Sequence, residues 1–306
     1  MTGSIIVPQD GEQLNINKIV IVGTGLMGTG IAQVSAESGV QVTMVGRTTE
    51  KCEAARAKIS ASVTKSAKRK LVNDPEGQQP YIEMVMSNVE FATDIFGAHL
   101  DDADMVVEAV VENLKVKQKL FADLENVVPS HCILATNTSS FLLEDVATKM
   151  TKSQSHFGGL HFFNPVVAMK LVEVIRAPET SDHVYDALMR FCRRIGKTPV
   201  KCKDSSGFIV NRLLFPYLAD AMRLAESANA EMRDIDMAMR LGTGYPMGPF
   251  EVMDYIGLDT MKFILDGWHQ RCPEDPRFQP CASLEKLVSA GKLGRKNGEG
   301  FYSYEK

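Results

Sequence analysis

Residues 18–28 read Lys18-Ile19-Val20-Ile21-Val22-Gly23-Thr24-Gly25-Leu26-Met27-Gly28. The first five residues form an apolar run of strand length, and residues 26–38 continue with a helical pattern that Gly39 ends. Residues 40–45 form a second, valine-rich run of strand length. A strand, a glycine-rich turn, a helix and a second strand in this order predict a βαβ unit.

The three glycines of the turn have separate physical roles in such a unit. Gly23 permits the tight turn, Gly25 lets the backbone approach a pyrophosphate, and Gly28 lets the helix pack on the strand. The helix that begins at Leu26 and Met27 directs free N–H groups toward a bound anion. We therefore predict a dinucleotide site at residues 23–28, with a ligand-free glycine-rich connector as the alternative interpretation.

The rest of the chain shows two kinds of secondary-structure pattern. Up to residue 204, strand-like runs alternate with helical patterns, which predicts a mostly parallel sheet of the Rossmann type. From residue 205 onward the patterns are almost entirely helical, with Pro216 expected to kink the first helix. We predict an α/β fold with a dinucleotide-binding domain at residues 1–204 and an all-helical C-terminal domain at residues 205–306.

Composition excludes several classes of function. The net charge of −4 gives no basis for binding nucleic acid, and no apolar run is long enough to span a membrane. None of the six cysteines forms a Cys-x-x-Cys pair, so neither a disulfide framework nor a zinc site is expected. Residues 1–15 contain two acids and neither Arg nor Lys, which argues against an attached mitochondrial transit peptide. We expect a soluble protein of a reducing compartment.

The second strand lacks the acidic residue that usually follows it. In dinucleotide-binding units an Asp or Glu about 20 residues after the glycines binds the adenine ribose. Here Gly46 stands at that position and Arg47 follows it. An arginine beside a missing carboxylate can accept the 2′-phosphate of NADP, whereas a solvated Arg47 is compatible with NAD. The residues alone leave both cofactors open.

Three later segments carry polar residues where predicted strands end. Ser139 follows the run at residues 133–136, His161 follows the run that begins at residue 157, and Glu173 lies in the run at residues 171–175. A histidine with a carboxylate partner can transfer a proton, because the carboxylate fixes the ring tautomer and stabilises the charged ring. A structural histidine and an unrelated edge carboxylate are the alternative interpretation.

Six blocks of the sequence, which follow one another in the order of the family, resemble the 3-hydroxyacyl-CoA dehydrogenases. The resemblance is to the short-chain, stand-alone, mitochondrial type of the family. The resemblance extends from about residue 18 to residue 304. The blocks are Gly25-Leu26-Met27-Gly28, Asn137-Thr138-Ser139-Ser140, His161-Phe162-Phe163-Asn164-Pro165, Met169-Lys170-Leu171-Val172-Glu173, Gly207-Phe208-Ile209-Val210-Asn211-Arg212 and Gly244-Tyr245-Pro246-Met247-Gly248-Pro249.

The resemblance implies a catalytic set of four residues. His161 is expected to take the proton from the 3-hydroxyl of the substrate, and Glu173 to orient His161. Ser139 is expected to bind the reacting oxygen or to lie against the nicotinamide, and Asn211 to contact the substrate near the thioester.

The resemblance also implies binding residues. Besides the glycine turn and Arg47, the expected cofactor contacts are Glu112, Lys117, Ser139, Asn164 and Lys296. The expected CoA contacts are Ser62, Arg69 and Ser139; Arg69 stands where the family commonly has Lys, which keeps the charge but changes the geometry of phosphate binding. No metal is expected.

These expectations combine into one function. The resemblance implies NAD-dependent oxidation of (S)-3-hydroxyacyl-CoA to 3-oxoacyl-CoA in fatty-acid β-oxidation, by a homodimer joined through its helical domain. It favours the mitochondrial matrix, with the cytoplasm as the alternative. An NADPH-dependent 3-oxoacyl-CoA reductase and a non-enzymatic, crystallin-like cofactor-binding protein are the competing functional hypotheses.

Overall fold

A computed structural model describes residues 14–304 of the chain. The transit-peptide expectation for residues 1–15 therefore lies almost entirely outside the described residues. The described chain divides into two compact units, one that ends at Phe208 and one that begins at Ile209. The change from alternating to helical sequence patterns at residue 205 lies a few residues before this division.

The first unit contains an eight-stranded sheet. Its strands lie in the order β3-β2-β1-β4-β5-β6-β7-β8. Every residue of β4, β5 and β6 is buried, so both faces of the sheet are covered at its centre. The strands are β1 (Lys18–Val22), β2 (Gln41–Val45), β3 (Val89–Ala92), β4 (Met105–Glu108), β5 (Ile133–Thr136), β6 (Phe157–Phe162), β7 (Leu171–Arg176) and β8 (Thr198–Lys203).

Six α-helices connect these strands. Thr48 caps the second helix by accepting a hydrogen bond from the Lys51 N–H, and Asp74 caps the third by accepting one from the Gly77 N–H. The helices are α1 (Leu26–Ala36), α2 (Thr49–Lys70), α3 (Pro75–Ser87), α4 (Leu114–Leu124), α5 (Leu143–Ala147) and α6 (Asp182–Arg194).

The sheet order places a crevice at β1. Strand β2 lies on one side of β1 and β4 on the other, and all three run parallel. In such sheets ligands bind outside the carboxyl ends of the strands, at the point where the strand order reverses. The glycine turn follows β1 at this point, and the loops after β4 and β5 begin beside it.

The last two strands, β7 and β8, run opposite to the other six. Strand β7 runs antiparallel to β6 and places Glu173 directly opposite His161. Residues 163–170 connect the two strands, and a connection of about eight residues is too short for a parallel crossover, which needs a dozen or more. The short connection is the physical reason for the reversal.

The second unit is helical. Its α-helices are α7 (Val210–Glu226), α8 (Met232–Thr243), α9 (Pro249–Ile256), α10 (Leu258–Arg271) and α11 (Ala282–Ser289). Helix α7 continues through Pro216, as the helical pattern on both sides of it predicts. Residues 249–269 read as one helical pattern, but Gly257, with a φ of +101°, separates α9 from α10. This helical unit and the mostly parallel sheet before it confirm the predicted fold class.

The C-terminal tail of this unit is tied to α9 by one buried carboxylate. Asp254 accepts hydrogen bonds from the N–H groups of Phe301 and Tyr302 and from the Tyr304 hydroxyl. Across residues 14–304, no helix has both the length and the apolar character needed to cross a lipid bilayer.

Candidate active site

The glycine turn is built by two close backbone approaches. Gly23 has a φ of +127°, and a β-carbon there would lie 2.3 Å from the carbonyl oxygen of Ala109. A β-carbon at Gly28 would lie 2.1 Å from the carbonyl oxygen of Gly23. Neither position can carry a side chain, since such short separations are not tolerated.

Gly25 serves a different purpose. It caps α1 without supplying a side-chain acceptor, and a β-carbon there would meet nothing within 4 Å. Leu26 and Met27 form the first turn of α1, whose N–H groups face outward at its N-terminus. The open space above Gly25 and these N–H groups fit a cofactor pyrophosphate.

The adenine-ribose position is closed against a side chain. Gly46 is buried, and a β-carbon there would lie 2.6 Å from Cys52 Sγ and 3.0 Å from Thr24 Cγ2. An acidic residue would therefore require Cys52 to move. Arg47, next in the chain, is exposed. The missing carboxylate thus has a steric reason in the packing of α2 against the turn.

His161 and Glu173 form a buried pair. The His161 Nδ1 lies 2.7 Å from Glu173 Oε2, and both residues are at most 5% exposed. The antiparallel register of β6 and β7 produces this contact, since directly opposed residues lie on the same face of the sheet. A carboxylate only accepts hydrogen bonds, so the contact places the proton on Nδ1 and leaves the Nε2 lone pair available.

Aromatic and apolar groups surround this pair. The His161 ring lies 4.5 Å from the ring of Phe163 and 5.4 Å from that of Phe208, measured between centroids. Burial, together with the nearby carboxylates of Glu173 and Asp204, raises the pKa of the Cys202 thiol on β8 to about 11. Cys202 therefore stays protonated beside the pair at neutral pH.

Ser139 is held by an acidic side chain from the loop after β4. The N–H of Ser139 donates to Glu112 Oε1 at 3.3 Å, and its hydroxyl lies 3.3 Å from that of Ser140. The other oxygen of Glu112 pairs with Lys117 at 3.0 Å. Lys117 is 1% exposed and also pairs with Glu108. Glu108 was not among the site residues predicted from the sequence. The available signal was a carboxylate that ends the otherwise apolar strand β4.

Lys197 is a second residue that sequence reasoning missed. Its buried Nζ donates to the carbonyl oxygens of Val166 and Met169. These two hydrogen bonds hold the turn between β6 and β7. Burial lowers the pKa of Lys197, and the charge of Lys170 lowers it further. Asn164 is exposed in the same turn, two residues after the end of β6.

The expected CoA contacts lie on α2. Ser62 and Arg69 are seven residues apart on this helix and therefore share one face. Arg69 is exposed, whereas Lys70 pairs with Glu37 at 2.6 Å. Of the basic residues in the last turn of α2, Arg69 is thus better placed than Lys70 to meet an anion from solvent.

Two expected site residues belong to the second unit. Asn211 lies in the first turn of α7 and is partly exposed. Lys296 forms an ion pair with Asp259. In the part of the chain that the structure describes, no cluster of His, Cys, Asp or Glu has a geometry that could hold a metal ion.

Comparison with known proteins identifies the family. Residues 18–205 match the family described as the 3-hydroxyacyl-CoA dehydrogenase NAD binding domain, and residues 207–304 match its C-terminal domain. The chain belongs to the 3-hydroxyacyl-CoA dehydrogenase family. A mitochondrial hydroxyacyl-coenzyme A dehydrogenase of Rattus norvegicus is 49% identical over 96% of this chain and 93% of its own length.

A solved structure and a further relative agree with this membership. The (S)-3-hydroxybutyryl-CoA dehydrogenase of Ralstonia eutropha superposes with a TM-score of 0.88 at 34% identity, covering 95% of this chain and all of that one. A probable 3-hydroxybutyryl-CoA dehydrogenase of Deinococcus radiodurans is 41% identical over 94% of this chain and all of its own length. These matches confirm the family, the NAD cofactor and the enzyme class predicted from the sequence.

The glycine turn gives a testable prediction. We expect Gly23→Ala to weaken NADH binding about tenfold or more, because relieving the clash with Ala109 must displace the turn. Fluorescence titration of the protein with NADH measures this. Gly39→Ala is the control, since Gly39 has a φ of +74° but open space around its β-carbon position. Equal losses of affinity in the two variants would contradict the steric explanation.

Proposed function

We propose that this dehydrogenase oxidises (S)-3-hydroxyacyl-CoA to 3-oxoacyl-CoA in fatty-acid β-oxidation, with His161 as the general base. The observation that carries the catalytic assignment is the buried 2.7 Å contact between His161 Nδ1 and Glu173. In a neutral imidazole held by this contact, Nε2 accepts the proton of the 3-hydroxyl. NAD, when bound, accepts the hydride from C3 of the substrate.

Glu173 and Ser139 have supporting roles in this proposal. Glu173 orients the imidazole and stabilises its charged form after proton transfer. Ser139, half-buried in the segment after β5, donates a hydrogen bond to the reacting oxygen or lies against the nicotinamide. Asn211 contacts the substrate near the thioester.

The remaining predicted residues bind the two ligands. The turn at residues 23–28 holds the pyrophosphate through the N–H groups of α1, and Asn164, Glu112 and Lys296 contribute to the cofactor site together with Lys117. Ser62 and Arg69 on α2 bind the CoA phosphates, as the exposed guanidinium of Arg69 allows.

The direct test of this function is the reaction itself. We expect purified protein to form NADH from (S)-3-hydroxybutyryl-CoA, with a larger kcat/KM for NAD than for NADP. Absorbance of the reduced cofactor measures both. A larger kcat/KM for NADP would support the reductase hypothesis and a 2′-phosphate contact at Arg47, and no turnover with either cofactor would leave only the non-enzymatic hypothesis.

Removing the base tests the catalytic pair. General-base catalysis contributes about 10²- to 10⁴-fold, so we expect His161→Ala to lower kcat by that factor. Glu173→Gln should lower kcat less, because the imidazole remains, and both variants should still bind NADH. His156→Ala is the control, since His156 precedes β6 at the opposite end of that strand. Near-normal turnover by His161→Ala would refute the assignment.

We also propose a homodimer formed through the helical unit. In support of this, five large apolar side chains of this unit are at least half exposed, and an interface that covered them would remove apolar surface from water. They are Leu213, Met237, Leu241, Tyr255 and Phe263.

Light scattering tests the dimer. We expect a mass in solution of twice the 33.7 kDa of one chain. Leu241→Glu, at a side chain 81% exposed, should reduce it to that of one chain, whereas Phe96→Glu, 67% exposed in the first unit, should not. A wild-type protein with the mass of one chain would contradict the proposal.

The mitochondrial matrix is the proposed compartment. It rests on relatives of Rattus norvegicus and Homo sapiens whose names describe mitochondrial enzymes. The cytoplasm remains the alternative.

A further inference from the structure

A fully buried carboxylate stands where three loops of the site begin. Glu108 is the last residue of β4 and has no exposed surface. In the register of the sheet it lies beside Val22, the last residue of β1, and Thr136, the last residue of β5. The loops that carry the glycine turn, Glu112 and Ser139 therefore all begin next to this one side chain.

Both oxygens of Glu108 are engaged. Oε1 accepts hydrogen bonds from Lys117 Nζ at 2.6 Å and from the Val110 N–H at 2.8 Å. Oε2 accepts one from the Thr136 hydroxyl at 2.7 Å. Since the donors come from the loop after β4, from α4 and from β5, this carboxylate joins three elements.

The ammonium group of Lys117 lies inside the protein. Its Nζ lies 2.6 Å from Glu108 and 3.0 Å from Glu112, and the residue is 1% exposed. An ammonium group this deeply buried requires charged partners, and the two carboxylates supply them. Lys117 therefore holds Glu112, another expected cofactor contact, from inside the protein.

Glu112 connects Lys117 to residues 138–140, the Ser139 segment. Its Oε1 accepts hydrogen bonds from the Ser139 N–H at 3.3 Å, from the Ser140 N–H at 3.2 Å and from the Thr138 hydroxyl. Glu112 thus fixes both the backbone and a side chain of residues 138–140, at the position where the proposed function needs Ser139.

The same network reaches the catalytic histidine and the glycine turn. The Asn137 N–H donates to the carbonyl oxygen of Glu108 at 3.0 Å, and Asn137 Oδ1 accepts from the N–H of Phe162, next to His161, at 3.0 Å. On the other side, Ala109 lies against Gly23. One connected set of contacts spans the phosphate turn, the serine segment and the histidine.

We propose that Glu108 is a positioning residue for the dehydrogenase reaction. It acts through Lys117 and Glu112 to hold the Ser139 segment in register with His161 and the glycine turn. The consequence for catalysis rests on the proposed function, in which Ser139 either donates to the substrate oxygen that His161 deprotonates or lies against the nicotinamide. Displacement of a catalytic group by 1 Å can cost about 10²-fold in rate, so this geometry is worth fixing with buried charges.

Glu108→Gln removes the charge and keeps the volume of the side chain. We expect kcat to fall about 10- to 100-fold, because Lys117 then pairs with Glu112 alone and draws it away from residues 138–140. The KM for the acyl-CoA should change less than kcat. Hydrogen exchange should become faster at the amides of residues 138–141, a readout that requires neither substrate nor cofactor.

Glu125→Gln is the matched control. Glu125 is 8% exposed and accepts hydrogen bonds from the N–H groups of Thr151, Lys152 and Ser153, just before β6. It is a buried carboxylate that fixes a loop of the same unit, at the opposite edge of the sheet. We expect this variant to lose thermal stability but to keep wild-type kcat and wild-type exchange at residues 138–141.

A double-mutant cycle with Lys117→Met tests the route. If Glu108 acts through Lys117, the double variant should have the same kcat as the single variant with the lower kcat. If the two residues act independently, the two fold reductions in kcat should multiply. Glu108→Gln with wild-type kcat and wild-type exchange at residues 138–141 would overturn the proposal. A wild-type protein that does not oxidise hydroxyacyl-CoA would refute the proposed function instead, and the exchange data would still decide the positioning role.

Discussion

The site depends on how closely the backbone of Gly23 passes the carbonyl oxygen of Ala109. A β-carbon at Gly23 would lie 2.3 Å from that oxygen, so the turn after β1 and the loop after β4 can pack together only at a glycine. This contact fixes where α1 begins and where its free N–H groups point. It also brings the phosphate turn within one strand spacing of Glu108, from which contacts lead to Ser139 and His161.

Much of this arrangement could be predicted, because the decisive residues are close together in the sequence. Strand β1, the glycines and α1 occupy residues 18–36, and each has a local signal in the form of an apolar run, a missing side chain or a helical pattern. The His161–Glu173 contact was accessible for a similar reason, since the two residues lie on consecutive strands. Family resemblance then supplied the reaction, which no local pattern contains.

Other features depend on contacts that local patterns do not encode. The reversal of β7 follows from the shortness of residues 163–170, and strand propensity is indifferent to direction. The resemblance placed Lys117 at a cofactor contact, but its burial between two carboxylates emerges only when β4 and α4 are packed. Lys197 has the same character, since it is a basic residue whose partners are carbonyl oxygens about 30 positions earlier.

Buried charge explains why such contacts belong at a site. Burying an ion pair usually gains little stability over apolar residues of the same volume, because desolvation offsets the attraction. The gain is in geometry, since a carboxylate such as Glu108, whose two oxygens accept three hydrogen bonds, tolerates few alternative arrangements. Glu108 and Glu173 lie on β4 and β7, three strands apart in the sheet, and Glu108 holds loops while Glu173 holds a ring. These two buried carboxylates therefore lie where small displacements change the rate most.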